Sequence, residues 1–159
     1  MPDLLRPGLR LVICGSAAGR RSAAAGAYYA GPGNKFWRIL HDCGLTPRHL
    51  RPDQFPSLPE FGIGLTDLAK LYVGGDAGIR SDDDDVDGLV AKITRYAPAW
   101  LAFNGKRAAR VVLDRAVDFG PQSETIGASR LFVLPSSAGA ASGYWDEAPW
   151  HELARLVVR

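Results

Sequence analysis

The chain has 159 residues, 47% of them hydrophobic, with two cysteines and a formal net charge of +2. Such a length buries a substantial core without metal or disulfide, two cysteines cannot hold a four-thiolate iron–sulfur cluster, and no apolar run approaches the roughly 18 residues of a membrane span. With no charged-then-apolar leader, the expectation is one domain over residues 1–159 in the reducing cytoplasm, with Cys14 and Cys43 as free thiols.

Residues 1–8, with Pro2 and Pro7, read as a lead-in arm. Residues 9–14 are almost continuously apolar, which suits a parallel strand covered on both faces. Small residues run from Gly15 to Gly19, and a second Gly/Pro-rich turn covers residues 30–33. Small side chains there let backbone N–H groups approach a flat or anionic ligand, and Tyr28 or Tyr29 supplies a ring to stack on it. Asn34 is placed to cap a helix in which Phe36, Ile39, Leu40 and Cys43 keep helical spacing and Gly44 is the stop.

The prolines at positions 47, 52, 56 and 59 make residues 45–60 a loop with a short helical turn. Residues 61–68 read as a second strand ending near Thr66 and Asp67, whose two glycines signal a close approach to its backbone. A glycine-rich, mobile connection covers residues 70–80. The acidic residues 82–85 open a helix with Val86, Leu89, Val90 and Ile93 as its apolar stripe, a structural role and not a metal site. Residues 100–103 form a third strand, Asn104 and Gly105 a turn, and residues 106–116 a helix. Residues 131–134 form a fourth strand, followed by a small-residue loop over 135–143 and a last helix from about Ala148 with Trp150, Leu153, Ala154 and Val157 inward.

Strands alternating with helices give an α/β fold, a three-layer α/β/α sandwich around a central four-stranded parallel sheet. In such sheets ligands bind at the carboxyl ends of the strands. Three loops converge there: residues 15–33, 66–75 and 135–143.

Several chemistries are poorly supported. No Gly-x-Ser-x-Gly elbow occurs, and His41, His49 and His151 lie in or beside helices without metal-ligand spacing. Gly15-x-x-x-Gly19 is not the dinucleotide fingerprint. Among the ionisable groups of the converging loops, Asp67 stands out. A carboxylate at a strand end, beside a glycine-lined cavity, can stabilise a developing cation and orient a water; capping the next turn is the competing role. Tyr28 and Tyr29 serve equally as core aromatics, and Ser136 and Ser137 as turn residues. Arg20, Arg21, Lys35 and Arg38 around the glycine-rich stretch suit a polyanion, though scattered surface charge is the plainer explanation.

The segments Pro7-Gly-Leu-Arg-Leu-Val-Ile-Cys-Gly15, Gly19, Tyr29-Ala-Gly-Pro-Gly-Asn-Lys-Phe-Trp37 and Gly44-Leu-Thr46 resemble the uracil-DNA glycosylase superfamily, above all its mismatch-specific uracil/thymine branch. Gly15-Ser16, Tyr28-Tyr29 and Phe103-Asn104-Gly105-Lys106 also look like its hypoxanthine branch, and Val133-Leu134-Pro135 falls at the second motif. The resemblance implies a monofunctional glycosylase that flips uracil, or hypoxanthine or another deaminated base, out of DNA and hydrolyses its N-glycosidic bond. It implies DNA as partner, no metal or cofactor, and a monomer. Gly15, Ser16, Ala17, Ala18, Tyr29, Asn34, Phe36 and Asn104 fall at base-binding positions. Ser136, Ser137, Ala138, Gly139, Ala140 and Ala141, with Arg20 and Lys35, fall at DNA-binding ones.

Two positions depart from the mismatch-specific pattern. Ala17 stands where that branch has the asparagine that orients the attacking water, and Ser136-Ser137-Ala138-Gly139 replaces Asn-Pro-Ser-Gly. An alanine orients nothing. The resemblance therefore assigns catalysis to Asp67 on the second strand, because some members of the superfamily carry their carboxylate there. A module that kept the fold and binds DNA or nucleotides without cleaving them is the alternative.

Overall fold

Leu11, Val12, Ile13 and Cys14 are all fully buried, and strand alternation divides them between two clusters. Leu11 and Ile13 join Phe36, Ile39, Trp150 and Leu153, whereas Val12 and Cys14 join Leu89, Ile93 and Ala109. A strand apolar at every position needs cover on both faces. The computed structural model, which describes residues 1–158, supplies it: α2 (Phe36–Asp42) and α5 (Ala148–Val157) lie over one face, α3 (Val86–Tyr96) and α4 (Lys106–Leu113) over the other. Arg159, at the end of the expected domain, lies outside the described residues.

The sheet has five strands in the order β2-β1-β3-β5-β4. Around β1 (Leu11–Gly15), β2 (Ile63–Asp67) and β3 (Trp100–Asn104) pair in parallel, β5 (Ser129–Leu134) continues in parallel beside β3, and β4 (Gly120–Ile126) closes the edge antiparallel to β5. The expected four-stranded parallel sheet is thus corrected to a mixed five-stranded one. The extra strand reads Gly-Pro-Gln-Ser-Glu-Thr-Ile and buries only its two ends. An antiparallel edge strand faces water along one side and tolerates proline, so it carries no apolar run to announce it.

The capping position of α2 falls on Lys35, not Asn34; one residue earlier, Asn34 Oδ1 accepts the Phe36 N–H at 3.0 Å, and Gly44 adopts φ +84° just past the end. Of the acidic run only Asp85 caps α3, while Asp82 and Asp83 lie in a separate 3₁₀ turn over Ser81–Asp83. Asp85 Oδ1 accepts the Gly88 N–H at 2.9 Å, and the nearly buried Asp84 holds Arg107 through two contacts of 3.0 and 2.8 Å. The stripe on α3 is narrower than expected, with Leu89 and Ile93 buried and Val90 37% exposed. Two further elements occupy segments read as turn and loop: α1 (Arg20–Ala25) and a proline-bearing 3₁₀ helix over Pro52–Phe61.

The lead-in arm is a working part of the sheet. Leu4 and Leu65 exchange backbone hydrogen bonds of 2.9 and 3.0 Å, so the arm covers the outer edge of β2. A Cβ at Gly64 would collide with the Leu4 carbonyl. The close approach signalled by that glycine is the chain's own arm. Among the described residues no helix is long and apolar enough to cross a membrane.

Candidate active site

At the carboxyl ends of β1, β2, β3 and β5 the three expected loops enclose a cleft of about 570 Å³, with residues of the β1–α1 turn, the β2–α3 connection and the loop after β5 in its wall. Parallel pairing sets its floor. Gly15 and Asp67 are register partners at the last rung of β1 and β2, and the chain stays zipped beyond them through Leu68 N–H to Gly15 O (2.9 Å) and Ala69 N–H to Ser16 O (2.7 Å).

Asp67 is 4% exposed and lines the cleft, and no group of the described residues donates a hydrogen bond to its carboxylate. Burial pushes its pKa up to about 6, against the opposing pull of Lys70. A buried, unpaired carboxylate is costly unless something arrives to use it.

Tyr29 forms the neighbouring wall. Its backbone stands at φ +53°, a left-handed conformation that strains a residue with a bulky side chain by about 1–3 kcal/mol. One face of the ring stacks on Phe36 at a centroid distance of 4.0 Å and 24° between planes, and the ring borders the cleft. The phenol oxygen is buried and has no hydrogen-bond partner, with Asn104 close by but short of bonding geometry. Burial and the Asp67 charge hold this hydroxyl well above the usual phenol range, so it is a donor throughout the working pH range.

The β1–α1 turn brings Ser16, Ala17, Ala18, Gly19 and Arg20 along the same wall. The Ala18 carbonyl accepts the Gly74 N–H at 3.0 Å, whereas the N–H groups of Ser16 and Ala17 meet no acceptor among the described residues. Arg20 and Arg21 are exposed on the rim without an acidic partner among those residues.

Asn34, Asn104 and Ser137 form one hydrogen-bonded unit. Ser137, fully buried, donates its backbone N–H to Asn104 Oδ1 (3.0 Å), accepts Asn104 Nδ2 at its hydroxyl (2.9 Å), and donates that hydroxyl to Asn34 Oδ1 (2.9 Å). The Lys35 N–H then donates to the Ser137 carbonyl at 2.9 Å. Three loops far apart in sequence are thereby pinned together. Ser136, half-buried on the cleft wall, is the serine of this pair left facing outward, and Ala138, Gly139, Ala140 and Ala141 continue the wall. Gly139 packs so tightly on the Pro32–Gly33 backbone that a Cβ would sit 3.3 Å from the Pro32 carbonyl.

Two expected site residues stand off the wall. Phe36 is fully buried behind Tyr29, and the Lys35 ammonium donates to Ser142 Oγ at 2.7 Å beside the Trp145 ring. Two wall residues escaped sequence reading: Asp76, from the stretch read as a mobile connection, and Tyr144, 84% exposed at the rim. Asp76 is exposed, and partial loss of hydration at the cleft rim raises its pKa, opposed chiefly by Arg107. An aspartate between glycines and a tyrosine outside the resembling motifs carry no periodic signal.

The family model of the uracil DNA glycosylase superfamily matches residues 2–156. The chain belongs to that superfamily. A solution NMR structure of a candidate uracil DNA glycosylase from Methanosarcina acetivorans superposes with a TM-score of 0.63 at 22% identity, covering 100% of this chain and 97% of that one. Likeness at that identity establishes the shared α/β fold. Membership makes the chain one of a superfamily of DNA glycosylases and DNA its partner. The four strand ends that border the cleft carry Gly15, Asp67, Asn104 and, just beyond β5, Ser136.

Proposed function

We propose that this protein is a monofunctional glycosylase that hydrolyses the N-glycosidic bond of uracil in DNA, with hypoxanthine and other deaminated bases as further substrates, and that Asp67 is its catalytic carboxylate. The observation that carries this reading is the buried, unpaired Asp67 carboxylate, which shares a glycine-floored cleft with a buried hydroxyl that also lacks a partner.

The target base is reached only outside the helix stack, so the nucleotide flips into the cleft. Its ring lies on the free face of Tyr29, which Phe36 backs. As the bond from C1′ to the base nitrogen breaks, its electron pair leaves with the base, and the N–H groups along Ser16, Ala17 and Ala18 donate to the anion. Preorganised donors of this kind are worth about 3–4 kcal/mol each. The sugar becomes oxocarbenium-like. Asp67, ionised above pH about 6, faces that cation and takes a proton from the attacking water.

Asp67 Oδ1 and the Tyr29 hydroxyl both lie within 3.0 Å of the point a methyl on Gly15 would occupy. They are not bonded to each other, and the hydroxyl is buried. In this reading Asp67 holds the nucleophile that an asparagine at position 17 would otherwise orient, with the Tyr29 hydroxyl close beside it. Gly15 keeps the space open. Asn104 retains one amide hydrogen beyond its Ser137 bonds for the base edge. Arg20, with Arg21, and Ser136 contact phosphates, Lys35 adds positive charge nearby, and the loop of Ala138, Gly139, Ala140 and Ala141, anchored by the buried Ser137, presses into the minor groove. The Lys70 ammonium is held by Asp3 at 2.8 Å, which supports a hydrolytic route over a Schiff base. The protein acts as one domain and a monomer, without cofactor.

Ala17 favours one other reading, a module that binds damaged DNA without cutting it. Single-stranded oligonucleotides carrying one uracil, hypoxanthine or xanthine decide between them after alkali treatment. Strand cleavage at uracil without a borohydride-trapped adduct is the expected result. Equal binding to uracil and abasic DNA with no base release on any of the three overturns the proposal.

A further inference from the structure

The lead-in arm ends against the strand that bears Asp67, and its one acidic residue is heavily engaged. Asp3 Oδ1 contacts Lys70 Nζ at 2.8 Å and accepts the Thr66 hydroxyl at 2.7 Å, while Asp3 Oδ2 contacts Lys92 Nζ at 2.8 Å. Pro2 accepts the Tyr28 hydroxyl at 2.8 Å, and Lys70 donates to that same hydroxyl at 3.3 Å. The residues so tied, Thr66 and Lys70, bracket Asp67 in the chain.

Lys70 is the cation with the strongest hold on Asp67. In an unconstrained loop, an ammonium three residues from a buried carboxylate would pair with it, because the pair replaces lost hydration for both. Here it does not. Its ammonium contacts the Asp3 carboxylate and donates to the Tyr28 hydroxyl, and Lys70 is absent from the cleft wall.

We propose that Asp3 is a positioning residue for the glycosylase reaction: by engaging Lys70 and Lys92 together, it keeps an ammonium from closing on Asp67 and leaves that carboxylate free to face the substrate. The inference rests on the catalytic reading of Asp67 given above. The charged groups that act electrostatically on Asp67 are Lys70, the Met1 amine, Asp3 and Lys92, and its own charge is felt by Cys14, Tyr28 and Tyr29. Removing the Asp3 charge acts on this set in one direction. A neighbouring anion that raises the Asp67 pKa is lost, and the cation that lowers it is released.

Two measurements on the full chain test this: the titration of the Asp67 carboxyl carbon by NMR, assigned by difference against Asp67→Asn, and single-turnover base release as a function of pH. In Asp3→Asn the midpoint should fall by about one pH unit. Base release at pH 7.5 should drop about tenfold without a matching change in KM, since a paired carboxylate faces the cation less well. Asp3→Asn/Lys70→Met should restore both to within about threefold and a few tenths of a unit. Lys70→Met alone should raise the midpoint and keep the rate, and it decides the matter if Asp3→Asn fails to fold. An Asp3→Asn protein that is merely less heat-stable, with an unmoved Asp67 midpoint, overturns the proposal, as does a double variant that stays impaired. Failure of the catalytic reading looks different: Asp67→Asn then releases base as fast as wild type, while the NMR midpoints still report whether Asp3 governs Lys70.

Discussion

Gly15 and Asp67 face each other across the last rung of two parallel strands, and a methyl group on Gly15 would stand 2.7 Å from Asp67 Oδ1 and 3.0 Å from the Tyr29 hydroxyl. The carboxylate and phenol converge because position 15 has no side chain. Gly15→Ala meets only side-chain ends, which can swing aside, so the fold should survive with a loss of about 1 kcal/mol. Base release should fall at least a hundredfold, as the methyl pushes the Asp67 carboxylate out of its place at the cleft floor. Thermal denaturation and single-turnover kinetics on the same preparation check both halves.

Ser137 is a keystone of a different kind. Its hydroxyl accepts from Asn104 and donates to Asn34, and it is fully buried. Ser137→Ala leaves the Asn104 amide short of an acceptor, at a cost of about 1–3 kcal/mol. For a chain of this size the melting temperature should drop by roughly 3–10 °C. Substitution of Ser136, whose side chain faces the cleft, should leave the melting temperature within about 2 °C and act on DNA affinity instead. Calorimetry of the two variants side by side separates the roles.

The raised pKa of Asp67 has a sign that stability measurements can read. A carboxylate whose folded pKa lies above its unfolded value makes the folded state bind the extra proton. Its contribution is therefore favourable at low pH and is lost as pH rises from about 4 through about 6. Asp67→Asn removes this penalty. The variant should match wild type near pH 4 and exceed it by about 2–3 kcal/mol above pH 7. Asp3 and Glu124, whose pKa values are lowered, pull the opposite way in both proteins, so the difference between variants isolates Asp67. Urea titrations at pH 4 and pH 8 provide the comparison.

What the sequence discloses follows from which physical signal each element carries. β1, β3 and β5 are buried on both faces and announce themselves as apolar runs, and α5 buries the very residues its spacing selects: Trp150, Leu153, Ala154 and Val157. Asp67 was legible as a candidate because parallel topology puts strand ends, and so any carboxylate on them, at the binding edge. β4 was not, since an edge strand with one wet side has a polar sequence. Nor was α1, six residues long and bounded by glycines at 19 and 26. The hydrogen-bonded unit of Asn34, Asn104 and Ser137 and the Asp3 grip on two lysines join residues remote in sequence, and a short polar side chain carries no mark of its distant partner. Ser137 thus reads as a turn or DNA-binding residue, whereas its hydroxyl is spent inside the protein.

The most direct test is release of uracil from a labelled single-stranded oligonucleotide by wild type and Asp67→Asn under single-turnover conditions, across pH 5 to 9. The expected result is a wild-type rate that rises through a midpoint near pH 6, and a variant at least a hundredfold slower at pH 8 with no such rise, although it is the more stable protein. A variant that releases uracil at the wild-type rate, with the same pH profile, contradicts the assignment of catalysis to Asp67.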